Sequence, residues 1–228
     1  MKRELWLIWR DPVNRLRYKV GLLSYDGKLY HFEYTNPELD DAILAGFEKY
    51  PGFNKGEKYT SPSLFPNIKN RLPNPSRVDY LDMMNEYDLT SDASDWEILT
   101  ATRGRLITDD YEFVRPFTLD KVEFDVAGTR YREEFNDFEN ILSPNSKVSL
   151  ELEPTNEYDK NAIKVCFKSG NKLYHLGYVP RFYSKQLARF LASGRRYSAI
   201  IKRVQLGGDT HDNDITAEVQ LVFEKDKN

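Results

Sequence analysis

Apolar residues recur at every second position in short runs from Lys121 onward, and this rhythm restricts the fold more than any other feature of the chain. Val122 and Phe124 begin one run before Gly128. Val148, Leu150 and Leu152 form the next, followed by Ile163, Val165 and Phe167. "KLYHLGYV" follows a Ser169-Gly170 turn, "YSAIIKRVQL" adds another run, and Ile215, Ala217, Val219, Leu221 and Phe223 share one side of the last. A period of two places alternate side chains in a core and in water, so each run reads as a strand. One segment breaks the rhythm. Between Pro180 and Gly194, residues Tyr183, Leu187, Phe190 and Leu191 follow i, i+4, i+7, i+8, the buried stripe of a helix. Five or six strands with one inserted helix suit a small barrel of the oligonucleotide/oligosaccharide-binding (OB) kind, with a ferredoxin-like sheet or an open sandwich as alternatives.

The first half has a different grammar. "LWLIW" (5–9) reads as a strand, and a hairpin turns at Asp26-Gly27. "PELDDAILAGFEKY" predicts a short helix ending near Pro51. Residues 51–76 hold five prolines and read as an ordered irregular loop. "SRVDYLDMMNEYDL" and "SDASDWEILTATRG" predict two helices, the second with acidic residues in its first turn and Gly104 at its end. The expected fold class is α+β: an N-terminal α+β module, residues 1–118, followed by a mainly-β, OB-like small barrel with one inserted helix, residues 119–228.

Charge points to a localised anionic partner. The chain carries a net charge of −3, yet Lys160 to Arg203 contains eleven Lys or Arg residues and no Asp or Glu. A basic face on an acidic protein suits a phosphate-bearing ligand, although a solvated surface would look the same. On the expected helix, Arg181, Lys185 and Arg189 follow i, i+4, i+8, opposite the apolar stripe. Like charges at that spacing repel by a few tenths of a kcal/mol, roughly, and gain nothing from one another.

Several classes are excluded or disfavoured. Cys166 is the only cysteine, so no disulfide can close within the chain and no cysteine zinc cluster can form. His31, His175 and His211 stand too far apart for a metal motif; "HDND" (211–214) reads as a polar turn rather than a metal loop. No P-loop, kinase signature or G-x-S-x-G elbow occurs, and the carboxylate pairs Asp40-Asp41 and Glu133-Glu134 leave a nuclease with only scattered support. The expectation is a protein without catalysis, metal or cofactor. With no membrane-length apolar run and no signal-like N-terminus, the expected location is cytoplasmic.

The stretch "EPTNEYDKNAIKV" (153–165) stands out, because Asn156, Tyr158, Asp159 and Asn161 fall within six positions before a strand. Turns use Asn and Asp for their backbone but have no need of an aromatic between them. Tyr158 either covers the core or presents a stacking ring beside a carboxylate. Asp159 in turn either receives a ligand donor or serves its own turn.

Three motifs in order, "AGTRYREE", "KVSLELEPTNEYDKNAIKV" and "LGYVPRFYSKQLARFLASG", resemble the HIRAN domain, a module of fork-remodelling helicase-like ATPases that also occurs alone in bacteria. The resemblance spans roughly residues 121–225. It implies an OB-like barrel that captures single-stranded DNA at a free 3′ end. Arg130 and Tyr131 match the pair that binds phosphate and stacks a base; Asn156, Tyr158 and Asp159 match the loop that supplies a second ring and an acceptor for the terminal hydroxyl. Arg181, following Tyr178, matches the basic residue after Gly-Tyr-Val-Pro. One departure is plain. Fork-remodelling members carry another aromatic before the last strand, where this chain has "GDTHDNDI", so end capture is expected without strand separation.

The N-terminal motifs "KVGLLSYDGKLYHFEY", "SLFPNIKNRLPNPSR" and "DWEILTATRGRLITDDYEF" look like the N-terminal subdomain of HipA-type toxin kinases, without the catalytic portion. That resemblance implies a protein-interaction module, with Trp96 and the proline-rich loop as contact candidates that could equally be core, core being the favoured reading for Trp96, and a rival function: an antitoxin-like regulatory partner of a separate HipA-type kinase. DNA and RNA are not distinguished by the sequence.

Overall fold

The structure, a computed structural model, describes residues 2–118, 121–133, 137–205 and 216–223. The chain divides into two compact units, Met1–Pro116 and Phe117–Asn228.

In the first unit β1 (Arg3–Arg10), β2 (Arg17–Tyr25), β3 (Tyr30–Tyr34), β4 (Lys58–Ser61) and β5 (Tyr111–Val114) form an antiparallel sheet ordered β4-β3-β2-β1-β5. Leu5, Leu7, Trp9, Tyr18, Val20 and Phe32 belong to a core filled by Phe47, Tyr50, Phe53, Phe65 and Trp96. The rings of Phe32 and Phe53 stack 4.1 Å apart, so much of the aromatic content here serves packing. Trp96 is buried in that core, which removes it as a contact-surface candidate.

Four helices accompany the sheet: α1 (Glu38–Leu44), α2 (Pro66–Lys69), α3 (Tyr80–Glu86) and α4 (Asp95–Thr102). Helix α1 ends well before Pro51, because Gly46 takes φ 102° and turns the chain away. The proline-rich stretch is also more regular than expected, since β4 pairs with β3 and α2 begins at Pro66. The Asp26-Gly27 hairpin is a four-residue loop rather than a two-residue turn. Tyr25 pairs with Tyr30, and Asp26 Oδ1 accepts the amides of Lys28 and Leu29.

The second unit contains β6 (Lys121–Asp125), β7 (Val148–Leu152), β8 (Ile163–Ser169), β9 (Lys172–Tyr178), β10 (Tyr197–Gln205) and β11 (Thr216–Phe223), with a single helical turn α5 (Phe138–Ile141) and the longer α6 (Arg181–Ala192). They make two three-stranded antiparallel sheets, β10-β11-β6 and β7-β8-β9. Two isolated bridges join the sheets at their margins, Lys147 with Ile200 and Ala127 with Tyr178. The strands thus run in a ring, β6-β11-β10-β7-β8-β9 and back to β6, consistent with the expected OB-like barrel. Its interior holds Val122, Phe124, Ile163, Val165, Leu176, Ile201 and Leu221. Helix α6 buries Phe182, Tyr183, Ser184, Leu187, Ala188 and Phe190. That face is broader than the expected stripe and leaves Leu191 only half-buried.

The Ala127–Tyr178 seam is unusually tight. Gly177 sits at φ 142°, and a Cβ there would lie 2.4 Å from the carbonyl oxygen of Ala127. Only glycine lets the two backbones approach this closely. Among the described residues no helix is long and apolar enough to cross a membrane, and no group of three His, Cys, Asp or Glu side chains is placed to hold a metal ion. The "HDND" and "GDTHDNDI" segments lie outside the described residues.

Candidate nucleic-acid interface

The loop from Glu153 to Ala162 is built by its own side chains. Asn156 Oδ1 accepts the amides of Tyr158 (3.0 Å) and Asp159 (3.1 Å), and Asp159 Oδ1 accepts that of Asn161 (2.8 Å). Two successive Asx turns therefore fix the backbone on both sides of Tyr158. The ring they carry is 77% exposed. Tyr158 does not cover the core.

Asp159 does more than close a turn. Its Oδ2 accepts the hydroxyl of the buried Ser184 at 2.6 Å, and that hydroxyl is also 2.8 Å from the Arg181 carbonyl. The first turn of α6 is thereby tied to the loop. Each carboxylate oxygen already has one protein donor, and each retains capacity for a second.

Glu153 joins the loop to the barrel wall. Its Oε1 pairs with Lys164 at 2.6 Å, while Oε2 accepts Asn156 Nδ2 at 2.8 Å and the Tyr178 hydroxyl at 2.9 Å. The hydrogen bond from Lys164, reinforced by Asn156 and Tyr178, holds the Glu153 carboxyl down to about 2. Burial and the neighbouring Glu153 push the Tyr178 phenol up.

Beyond the seam, Gly128 takes a left-handed conformation and starts a 3-10 turn, Thr129–Tyr131. Thr129 is buried, whereas Tyr131 is 63% exposed. The Arg130 side chain lies outside the described residues. The next residue turns back onto β9: the Arg132 guanidinium lies 5.5 Å from the Tyr178 ring centroid, with Nη1 3.0 Å from His175 Nδ1. His175 Nε2 donates to the Gly177 carbonyl at 3.0 Å, leaving Nδ1 as the acceptor for Arg132. Burial, and then the Arg132 charge, lower the imidazole pKa.

A bulge makes this cluster possible. Val165 pairs with Gly177 and Cys166 with His175, so Leu176 is an extra residue in β9. His175 and Tyr178 consequently meet, their rings 4.8 Å apart and edge-to-face, although strict alternation would separate them.

The structure thus links Asn156, Asp159, Tyr178 and the start of α6 at Arg181 through one hydrogen-bonded chain, and the Ala127–Tyr178 bridge brings in the turn bearing Arg130 and Tyr131. Lys185 and Arg189 are exposed further along α6, Arg189 about 12 Å from Arg181 at 1.5 Å per residue. Glu153, Arg132, His175 and Ser184 were not singled out from sequence. Only Glu153 left a signal, as the charge that opens the loop motif.

Residues 119–224 match the family model described as the HIRAN domain. This segment is a HIRAN domain. The crystal structure of the HIRAN domain of human HLTF is similar to the chain at 22% identity, covering 46% of this chain and 75% of that one, with a TM-score of 0.35. A crystallised protein from Lactobacillus plantarum is similar at 27% identity over 46% of this chain and 89% of its own, also at a TM-score of 0.35. No curated protein matches the chain. The loop, Tyr178 and the start of α6 all fall within the HIRAN domain.

Proposed function

We propose that the HIRAN domain of this chain binds nucleic acid by capturing single-stranded DNA at a free 3′ end, without chemical conversion. The observation that carries this reading is Tyr158, an aromatic ring held outward on a loop whose backbone is fixed on both sides. A rigid exposed ring gives a base a stacking partner with little ordering cost, for about 1–3 kcal/mol per base. Asp159 beside it would repel a phosphate, and its spare acceptor capacity suits a neutral donor such as a terminal hydroxyl. Tyr131, Arg130 and Arg181 are the groups proposed to hold the next nucleotide and its phosphate.

The test is a titration of two oligonucleotides that differ only in a 3′-hydroxyl or a 3′-phosphate. A charge-assisted hydrogen bond of about 1.5–3 kcal/mol predicts roughly ten- to a hundredfold preference for the hydroxyl. Asp159→Ala should remove most of that preference, and Tyr158→Ala should weaken both oligonucleotides alike. Because Asp159 also tethers α6, Ser184→Ala is the control: it removes the tether, keeps the carboxylate, and should retain the preference. Equal binding of both ends by the wild type would refute end capture, and a same-sequence RNA arm separates DNA from RNA recognition.

A second reading concerns residues 1–118 as an interaction module for a separate HipA-type kinase. Its specific support is Val78 and Leu81, two apolar side chains that stand exposed at and just before α3. Co-purification with such a kinase, abolished by Leu81→Glu, would favour it.

A further inference from the structure

We infer that Arg132 is an additional phosphate-binding residue of this interface, set at the seam between Tyr131 and Tyr178. The inference rests on the nucleic-acid reading above and extends it to a residue that the three sequence motifs did not single out. Arg132 is half-buried, and among the described residues its hydrogen-bond partner is a neutral imidazole rather than a carboxylate. No ion pair forms with it among those residues, although burying a guanidinium ordinarily calls for one. Its Nε is shielded from solvent and has no hydrogen-bond partner among the described residues.

Glu153, the carboxylate that accepts the Tyr178 hydroxyl, is already engaged by Lys164, Asn156 and Tyr178. A cation is thus held in place on an aromatic face, its orientation fixed by His175, with donor capacity unused. A phosphodiester oxygen supplies what is lacking, a negative acceptor that can take parallel N–H donors from the planar fork. His175 fits that role as a holder, since a carboxylate in its place would neutralise the arginine and repel the strand.

The experiment titrates a single-stranded oligonucleotide with a 3′-hydroxyl at four salt concentrations against wild type, Arg132→Gln and Arg132→Lys, each first checked for a cooperative thermal transition. Removing one phosphate-binding cation should weaken binding by roughly tenfold and lower the salt slope by about 0.7. Arg132→Lys should keep the slope, because it keeps the charge, while losing several-fold in affinity. Should Arg132→Gln fail to fold, the wild-type chain decides the matter: modification of Arg132 by an arginine-selective dicarbonyl, located by peptide fragmentation, should slow when the oligonucleotide is bound. A folded Arg132→Gln with wild-type affinity and slope overturns this inference and leaves end capture standing, as does an unchanged modification rate at Arg132. A wild type that shows no salt-dependent binding overturns both.

Discussion

Glu153 is the residue on which the candidate interface turns, because one carboxylate holds Lys164, the Asn156 loop and the Tyr178 ring together. Its folded carboxyl titrates at about 2, below the roughly 4.3 of an unfolded glutamate. The folded state therefore binds its proton less readily than the unfolded state. Its contribution to stability is complete above about pH 4.5 and is lost as pH falls toward 2. Glu153→Gln should lower the thermal midpoint of the HIRAN domain by a constant amount from pH 8 to 5, and the gap should close between pH 4 and 2. A gap that is absent at neutral pH would show that the three donors find other partners. This scale also shows what a sequence conceals. The Asn156–Asn161 loop was legible because Asx turns act over two or three residues. The alliance of Arg132, His175 and Tyr178 was not, because the extra Leu176 shifts the alternation that places side chains on a strand.

At the scale of elements, α6 divides its work between faces. Phe182, Tyr183, Leu187 and Phe190 anchor it, while Arg181, Lys185 and Arg189 face solvent in a row of one sign. Replacing these three with Gln should weaken oligonucleotide binding and flatten its salt dependence by up to about 0.7 for each phosphate that they neutralise, with little effect on melting. An unchanged slope would return the face to ordinary solvated surface. The helix was readable from its period, but Ser184 was not, because a buried serine matters only through Asp159, 25 residues earlier. Strands β4 and β5 were missed for a simpler reason. Four residues each, Lys58–Ser61 and Tyr111–Val114, are too few to display a period, and their pairing partners decide their conformation.

For the whole molecule, the strand runs after Lys121 foretold five or six strands, and six stand among the described residues of the second unit, but the runs did not show how they close. Closure depends on the isolated bridges at Ala127 and Lys147, where no hydrophobic rhythm marks the sequence. Because the ring is complete within Phe117–Asn228, a chain begun near residue 117 should melt cooperatively and bind the 3′-hydroxyl oligonucleotide within about twofold of the full chain. A soluble fragment without a thermal transition would contradict this, and a folded fragment that binds tenfold more weakly would assign part of the interface to the first unit.

The seam itself has a last consequence. Beside the candidate interface the two sheets meet, among the described residues, through a single bridged pair, with two backbone hydrogen bonds of 2.8 Å between Ala127 and Tyr178. Tyr131 and Arg132 lie on one shore, with Tyr158 and Tyr178 on the other. A strand lying across them would act as a stitch, lending the barrel cohesion that its own backbone supplies only sparingly there. By mass action, a ligand present at a hundred times its dissociation constant deepens the folded well by about 2.7 kcal/mol. Occupancy and integrity would then be one quantity, and the domain would be hardest to unravel while it holds an end.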